Sequence, residues 1–304
     1  MKDFQLILEA PLEEGIKKLI YDQISLARDQ TDNKSDIHLA IHESRRTLKR
    51  IRAVLRLVRD EIGNSNYYRE NILMRDLGRR LSGARDHHVL LRTFCSLEEL
   101  HPASFSGSEI SRIKQLLEEQ TDLEISHFMH DLGGFEQFKV DLVDALDRVD
   151  QYCTIRNDFL VIENGLRKNY KQGRRLMKQI GKDDHDIFHE FRKRSKYFLH
   201  HIQILRPLFP RLMKAYVKSI RKYSELLGEA RDYYRLEMFL EEPGPRSISA
   251  DSRKNMTGKI RQVRNELIEK IYLDSSHIYA EKPGALVNRM RCYYLNKIKL
   301  PDHE

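Results

Sequence analysis

Apolar residues recur along this chain at spacings of three and four, and almost nowhere in strict alternation. That period belongs to amphipathic helices rather than strands. Glycine and proline are scarce and gather in short breaks at His101–Ser108, at Leu132–Phe135 and, longest, between Glu241 and Gly258. Between these breaks the pattern predicts helices near 12–30, 36–62, 66–98, 108–131 and 135–152. A second set is predicted near 156–181, 184–208, 211–241, 252–280 and 284–299. The expected fold class is all-α.

The two sets read as a repeat. Ile41-His42-Glu43-Ser44-Arg45-Arg46 matches Phe188-His189-Glu190-Phe191-Arg192-Lys193 at an offset of 147, and Ala84-Arg85-Asp86 matches Ala230-Arg231-Asp232 at 146. Two different motifs in the same order at nearly the same offset imply two similar helical bundles in tandem. The first would span 1–152 and the second 153–304, joined near Gln151 to Asn157. Antiparallel packing with short loops is the expectation for such helices.

The second helix of each set carries the most information. Ile41, Ser44, Leu48, Ile51, Leu55, Val58 and Ile62 keep core spacing, and Phe188, Phe191, Ser195, Phe198, Ile202, Leu205 and Phe209 hold the matching places. Shifted by one residue, about 100° of rotation, a second stripe appears: His42, Arg45, Lys49, Arg52, Arg56 and Arg59, widened by Arg46 and Arg50. Its counterpart is His189, Arg192, Lys196, Leu199, Gln203 and Arg206, widened by Lys193 and Arg194. A solvated helix face mixes signs, because like charges one turn apart repel. An unrelieved basic ladder therefore points to an anion, unless acids of a neighbouring helix neutralise it.

Composition supports this without deciding it. The 304 residues hold 54 Lys and Arg against 46 acids, a net charge of +8, and a pI near 9.2. A basic balance suits an anionic partner, although charge spread for solubility would read the same. No apolar run is long enough for a membrane span, and Met1–Gly15 has no long apolar signal region. Cys95, Cys153 and Cys292 are few and widely spaced, which fits a reducing compartment. The expectation is a soluble, cytoplasmic protein that does not engage membrane.

The first helix of the second set adds Arg167, Lys171, Arg174 and Lys178 at steps of four, three and four, with Lys168 and Arg175 beside them. The planar fork of Arg suits phosphate oxygens. At these residues the chain resembles a known family, the conserved-histidine α-helical domain, CHAD. The resemblance lies in His42 to Arg52 and His189 to Lys196, in Gly83-Ala84-Arg85-Asp86 and Leu227 to Asp232, and in Tyr170 to Lys178.

The resemblance implies two bundles related by pseudo-two-fold symmetry, with a basic channel between them that binds inorganic polyphosphate. On this chain the implied binding residues are His42, Arg45, Arg46, Lys49, Arg52 and Arg56. The second half would add His189, Arg192, Lys193 and Lys196, with Lys171, Arg174, Arg175 and Lys178 from the preceding helix. Arg85 and Arg231 either touch the ligand or orient helices through Asp86 and Asp232. Leu199 and Gln203 interrupt the second stripe, so a lopsided site is expected. Association with polyphosphate granules would follow from such binding.

Other chemistry finds less support. His38/His42 and His185/His189 are one turn apart and could hold a transition metal, but spacing fixes no third ligand, so no metal and no cofactor is expected. His42 and His189 read better as phosphate donors whose charge depends on pH. Asp183-Asp184-His185-Asp186 reads as an acidic helix start. No phosphate-cradling glycine loop is present, and no catalytic residue can be named, so a non-catalytic protein is expected. Nucleic-acid binding is the alternative. It lacks support from any helix-turn-helix pattern, aromatic stacking motif or Trp.

Overall fold

The computed structural model describes residues 4–32, 36–105, 107–152, 156, 158–180, 185–241 and 248–299. Among them lie twelve α-helices and no strand. The first half contributes α1 (Leu12–Gln30), α2 (Ile37–Leu57), α3 (Arg59–Ile62), α4 (Asn64–Arg80), α5 (Ser82–Leu100), α6 (Ser108–His130) and α7 (Gly134–Asp147). The second contributes α8 (Leu160–Met177), α9 (His185–Ile204), α10 (Pro210–Glu241), α11 (Ala250–Ile278) and α12 (Pro283–Lys299). No helix of the described residues is long and apolar enough to cross a membrane.

Local chemistry explains several boundaries. Asp36 caps α2 by accepting the Leu39 amide at 2.9 Å, and Ser249 caps α11 through the Ser252 amide, each satisfying an orphan donor of the first turn. The helix expected over 66–98 is instead two, broken at Leu81, whereas α10 runs unbroken through the matching stretch. Ser82-Gly83 explains the difference, since Gly/Ser pairs are common kink sites. The Ser82 hydroxyl donates to the Arg79 carbonyl at 2.6 Å. A Cβ on Gly83 would strike the carboxylate of Glu124 on α6.

The core stripe of α2 and α3 is buried from Ile41 to Ile62 as expected. In α9 it holds at Phe191, Ser195, Phe198, Ile202 and Leu205. It fails at its ends: Phe188 is half-buried, and Phe209 is 44 % exposed, edge-on to Tyr293.

Buried apolar residues of both halves form one continuous cluster. Helix α2 packs on α9 and on α8, and α5 packs on α10. The buried His201 of α9 donates its Nε2–H to the Ala53 carbonyl of α2 at 3.0 Å, a direct tie between the two histidine-bearing helices. Burial holds this imidazole neutral, with its pKa down to about 4. At Gly165, α8 runs so close to α2 that a Cβ would fall 2.1 Å from the Leu57 carbonyl oxygen. These contacts set the basic faces of α2 and α9 side by side, next to the crossing of α5 and α10.

Candidate functional site

Cations from both halves of the chain converge where α2, α9, α5 and α10 meet. Arg45 feels the charges of Asp86, Arg231, Arg85 and Arg235. Lys49 feels Arg45, Arg192, Lys196 and Arg231. Lys196 in turn feels Arg192, Glu225, Arg221 and Asp232. The two sequence motifs are therefore one place in the fold.

Lys49 is the clearest member. Its side chain reaches solvent, yet protein surrounds it closely enough to strip much of its hydration. That desolvation comes first, and the nearby cations second, in holding its ammonium down to about 7. The same causes bring Lys196 to about 8 and Arg192 to about 10. Burial and like charge both disfavour the cation. Lys49 thus combines an exposed side chain with close protein walls and positive neighbours.

Carboxylates stand near this group, Asp86 and Asp232 acting on Arg192 and Glu225 and Asp232 on Lys196, but the two aspartates bond elsewhere. Asp86 is held by Arg235 at 2.8 Å, and Asp232 lies 3.5 Å from Arg231. Burial pushes the Asp232 carboxyl up despite four arginines around it. Among the described residues, Lys49, Arg85, Arg192 and Lys196 make no hydrogen bond or ion pair. The Nε of Arg192 is buried without a partner. Arg231 thus stands beside Asp232, one of the two alternatives open for it, whereas Asp86 turns to Arg235 of the other half and leaves Arg85 unpaired among the described residues.

The remaining predicted residues are placed as follows. Arg46 pairs with Glu43 and Lys193 with Glu190 at 2.6 Å, the same i,i+3 pair in both repeats. Arg45 also donates to the Gly78 carbonyl near the end of α4. Arg52 donates to Asn71 at 3.1 Å. Arg56 lies 4.5 Å from the centre of the Tyr197 ring. Leu199 turns into the core, which ends the basic face of α9 at Lys196.

Helix α8 meets other partners as well. Arg174 donates its Nε–H to the Tyr279 carbonyl at 3.0 Å, at the C-terminal end of α11. Lys171, Arg175 and Lys178 are exposed, and none is among the charges acting on Lys49, Arg192 or Lys196. The 4-3-4 spacing does place these side chains along one stretch of helix, but the packing of α8 on α9 and α12 decides what that stretch meets.

Burial and nearby cations shift both motif histidines. His42 is held down to about 4, first by desolvation and then by Arg85, Lys49, Arg46 and Arg92. His189 is lowered for the same reasons, with Lys193, Arg231 and Arg192 nearby. Both are neutral near pH 7 in the free protein and can offer one N–H rather than a charge. His38 stacks on His88 at 4.3 Å and His185 on Tyr234 at 3.6 Å. No group of three metal-binding side chains occurs among the described residues. Asp183, Asp184 and Cys153 lie outside the described residues. Cys95 is half-buried, its thiol pushed up by burial, and Cys292 is exposed.

Sequence reasoning missed Arg92 and Arg235. Arg85 and Arg92 line a cleft of about 410 Å³ between α5 and α10, with Glu225 and Asp232 on its other wall. Arg92 is two turns beyond Arg85, and Arg235 one turn beyond Arg231, so following the helical period from the motif arginines would have reached both.

The CHAD domain family model matches residues 12–241. In fold the chain is similar to the crystal structure of the CHAD domain from the plant Ricinus communis, with a TM-score of 0.54 and 15% identity over 96% of this chain and 94% of that one. No curated protein matches the chain. With the family match spanning most of the sequence and the solved fold spanning nearly all of it, this all-helical chain belongs to the CHAD domain family.

Proposed function

We propose that the chain binds inorganic polyphosphate along the surface where α2 and α9 meet, and that it does so without cleaving the polymer. The supporting observation is Lys49, ringed by cations of both halves and unpaired among the described residues. Holding like charges together costs stability, and a linear polyanion offsets that cost along its length. The unpaired guanidinium groups of Arg85 and Arg192 suit phosphate oxygens through paired N–H donors. His42 and His189, neutral in the free protein, would regain protons as the anion arrives. The nearby carboxylates Asp86 and Asp232 are engaged by arginines, which supports a binding role over hydrolysis. In a cell, this binding would place the protein in the cytoplasm at polyphosphate granules.

Competition at fixed salt among long-chain polyphosphate, single-stranded RNA and duplex DNA tests the proposal, with polymer length followed in the same samples. Polyphosphate should bind most tightly and stay intact, and its affinity should fall steeply with salt. Equal or tighter RNA binding would replace this reading with a nucleic-acid one. Shortened polymer would make the protein an enzyme.

A further inference from the structure

A second cationic pocket lies apart from Lys49, on the other side of α9. It measures about 110 Å³, and Arg56, Arg59, Lys168 and Arg194 line it without any carboxylate. Arg194 meets Glu190 at 3.5 Å, and Arg59 is held by Asn64 and Tyr68. The Nε–H of Arg56 is buried and has no acceptor among the described residues. None of these four cations is among the main charges acting on Lys49.

Two amide side chains complete the lining, Asn169 and Gln172. Asn169 is only 4 % exposed. Its Nδ2 donates to the Arg194 carbonyl at 3.1 Å, which fixes which way the amide faces. Its Oδ1 is then left buried with no donor, as is the Oε1 of Gln172. Unsatisfied buried acceptors are rare and costly. Here they sit among cations, a combination a fully ionised anion cannot satisfy, since it brings acceptors only. A phosphate that keeps one proton brings both: ionised oxygens for the cations and a P–OH for an amide oxygen.

We propose that this pocket binds a monoprotonated phosphate group, either free orthophosphate or the end of a phosphate chain. A terminal phosphate loses its second proton at a pKa of about 6, as a phosphate ester does, so it keeps that donor at about pH 6 and below. Internal units of a polyphosphate have no such proton. The pocket thus deepens the polyphosphate reading by recognising a chain end, while its orthophosphate form stands without that reading.

Calorimetric titration with sodium phosphate and sodium sulfate, at about pH 8 and equal ionic strength, tests the orthophosphate form, because the hydrogen phosphate dianion then matches sulfate in shape and charge but keeps one proton. Wild-type protein should prefer phosphate roughly tenfold, the cost of facing an acceptor with an acceptor. Asn169→Leu should bring the ratio toward one. Gln172→Leu, at a half-exposed position and so easier to fold, should lower it in part. Arg56→Gln should weaken both anions and leave the ratio alone. Linear tripolyphosphate and cyclic trimetaphosphate, which has no end, compared at about pH 6 where the end keeps its proton, separate the sources. If Asn169→Leu narrows the linear advantage, the pocket takes chain ends; if it lowers only the orthophosphate preference, it takes the free ion. Equal binding of phosphate and sulfate by wild-type protein, or a ratio unmoved by both Leu variants, overturns the proposal. Failure of long polyphosphate to bind would touch only the reading of the α2 and α9 cleft.

Discussion

The arginines on the outer helices and the cations at the centre follow opposite rules. Outside, Arg148 of the first half grips the buried Glu70 through two bonds of 2.9 and 3.1 Å. Arg261 and Arg264 of α11 share the buried Glu237 of α10, and Arg289 of α12 makes two bonds to Glu281. At the centre, Lys49, Arg85, Arg192 and Lys196 have no such partner among the described residues. Acids are not in short supply, with 46 in the chain. Pairing on the outside locks helices together. Its absence inside leaves charge available and costs stability, the pattern expected where a site departs from what the fold alone would favour.

The sharpest way to break this comparison is to reverse the central charge. Lys49→Glu with Arg192→Glu should weaken polyphosphate binding by ~100-fold or more and leave the helical circular dichroism unchanged. Unaltered affinity would remove both residues from the site. The outer rule is tested by Glu70→Ala. Removing a buried partner of Arg148 and Arg69 should destabilise the fold by about 3 kcal/mol, read as a fall in Tm, while polyphosphate affinity stays as it was.

A pH series probes the centre from another side. Lys49 and Lys196 titrate in the folded protein at about 7 and about 8, against about 10.4 for an unperturbed Lys. Between those values the unfolded chain holds more protons than the folded one, so the stability of the free protein gains from both groups as pH rises. Polyphosphate requires the protonated forms, so its affinity should drop severalfold between about pH 7 and pH 9, with net proton uptake on binding. Opposite slopes for stability and affinity are the signature. The smallest effect should come from Arg174→Gln, which loses one bond to the end of α11. It should cost about 1 kcal/mol of stability and leave polyphosphate affinity unmoved, which separates α8 from the cleft.

Much of the fold is legible in the sequence because helix period and core spacing are local. The stripe from Ile41 to Ile62 needs only the positions of apolar residues, and the structure buries every one. The break at Leu81 is harder, since it depends on Ser82 reaching back to Arg79 and on Glu124 of another helix occupying the space beside Gly83. The site divides the same way. His42, Arg45, Lys49 and their counterparts are visible as a ladder of one sign, and the repeat hints that the two ladders belong together. What α8 presents to its neighbours cannot be read from a 4-3-4 spacing, so Arg174 looked like its neighbours until Tyr279 claimed it. Pairing across the chain is equally hidden: nothing local tells Asp86 to choose Arg235 over Arg85. The neutrality of His42 depends on Arg85 and Arg92 of a different helix, which composition and spacing do not reveal.

If Lys49 and Lys196 are held unpaired for an anion at the expense of the fold, removing their charge should help the free protein and hurt the complex. The Lys49→Gln/Lys196→Gln variant measures both sides at once, by thermal melting of the free protein and calorimetric titration with long-chain polyphosphate in one buffer. A higher Tm and a weaker complex than wild type are expected. A lower Tm with unchanged affinity would mean that these lysines hold the helices together and do not serve a ligand.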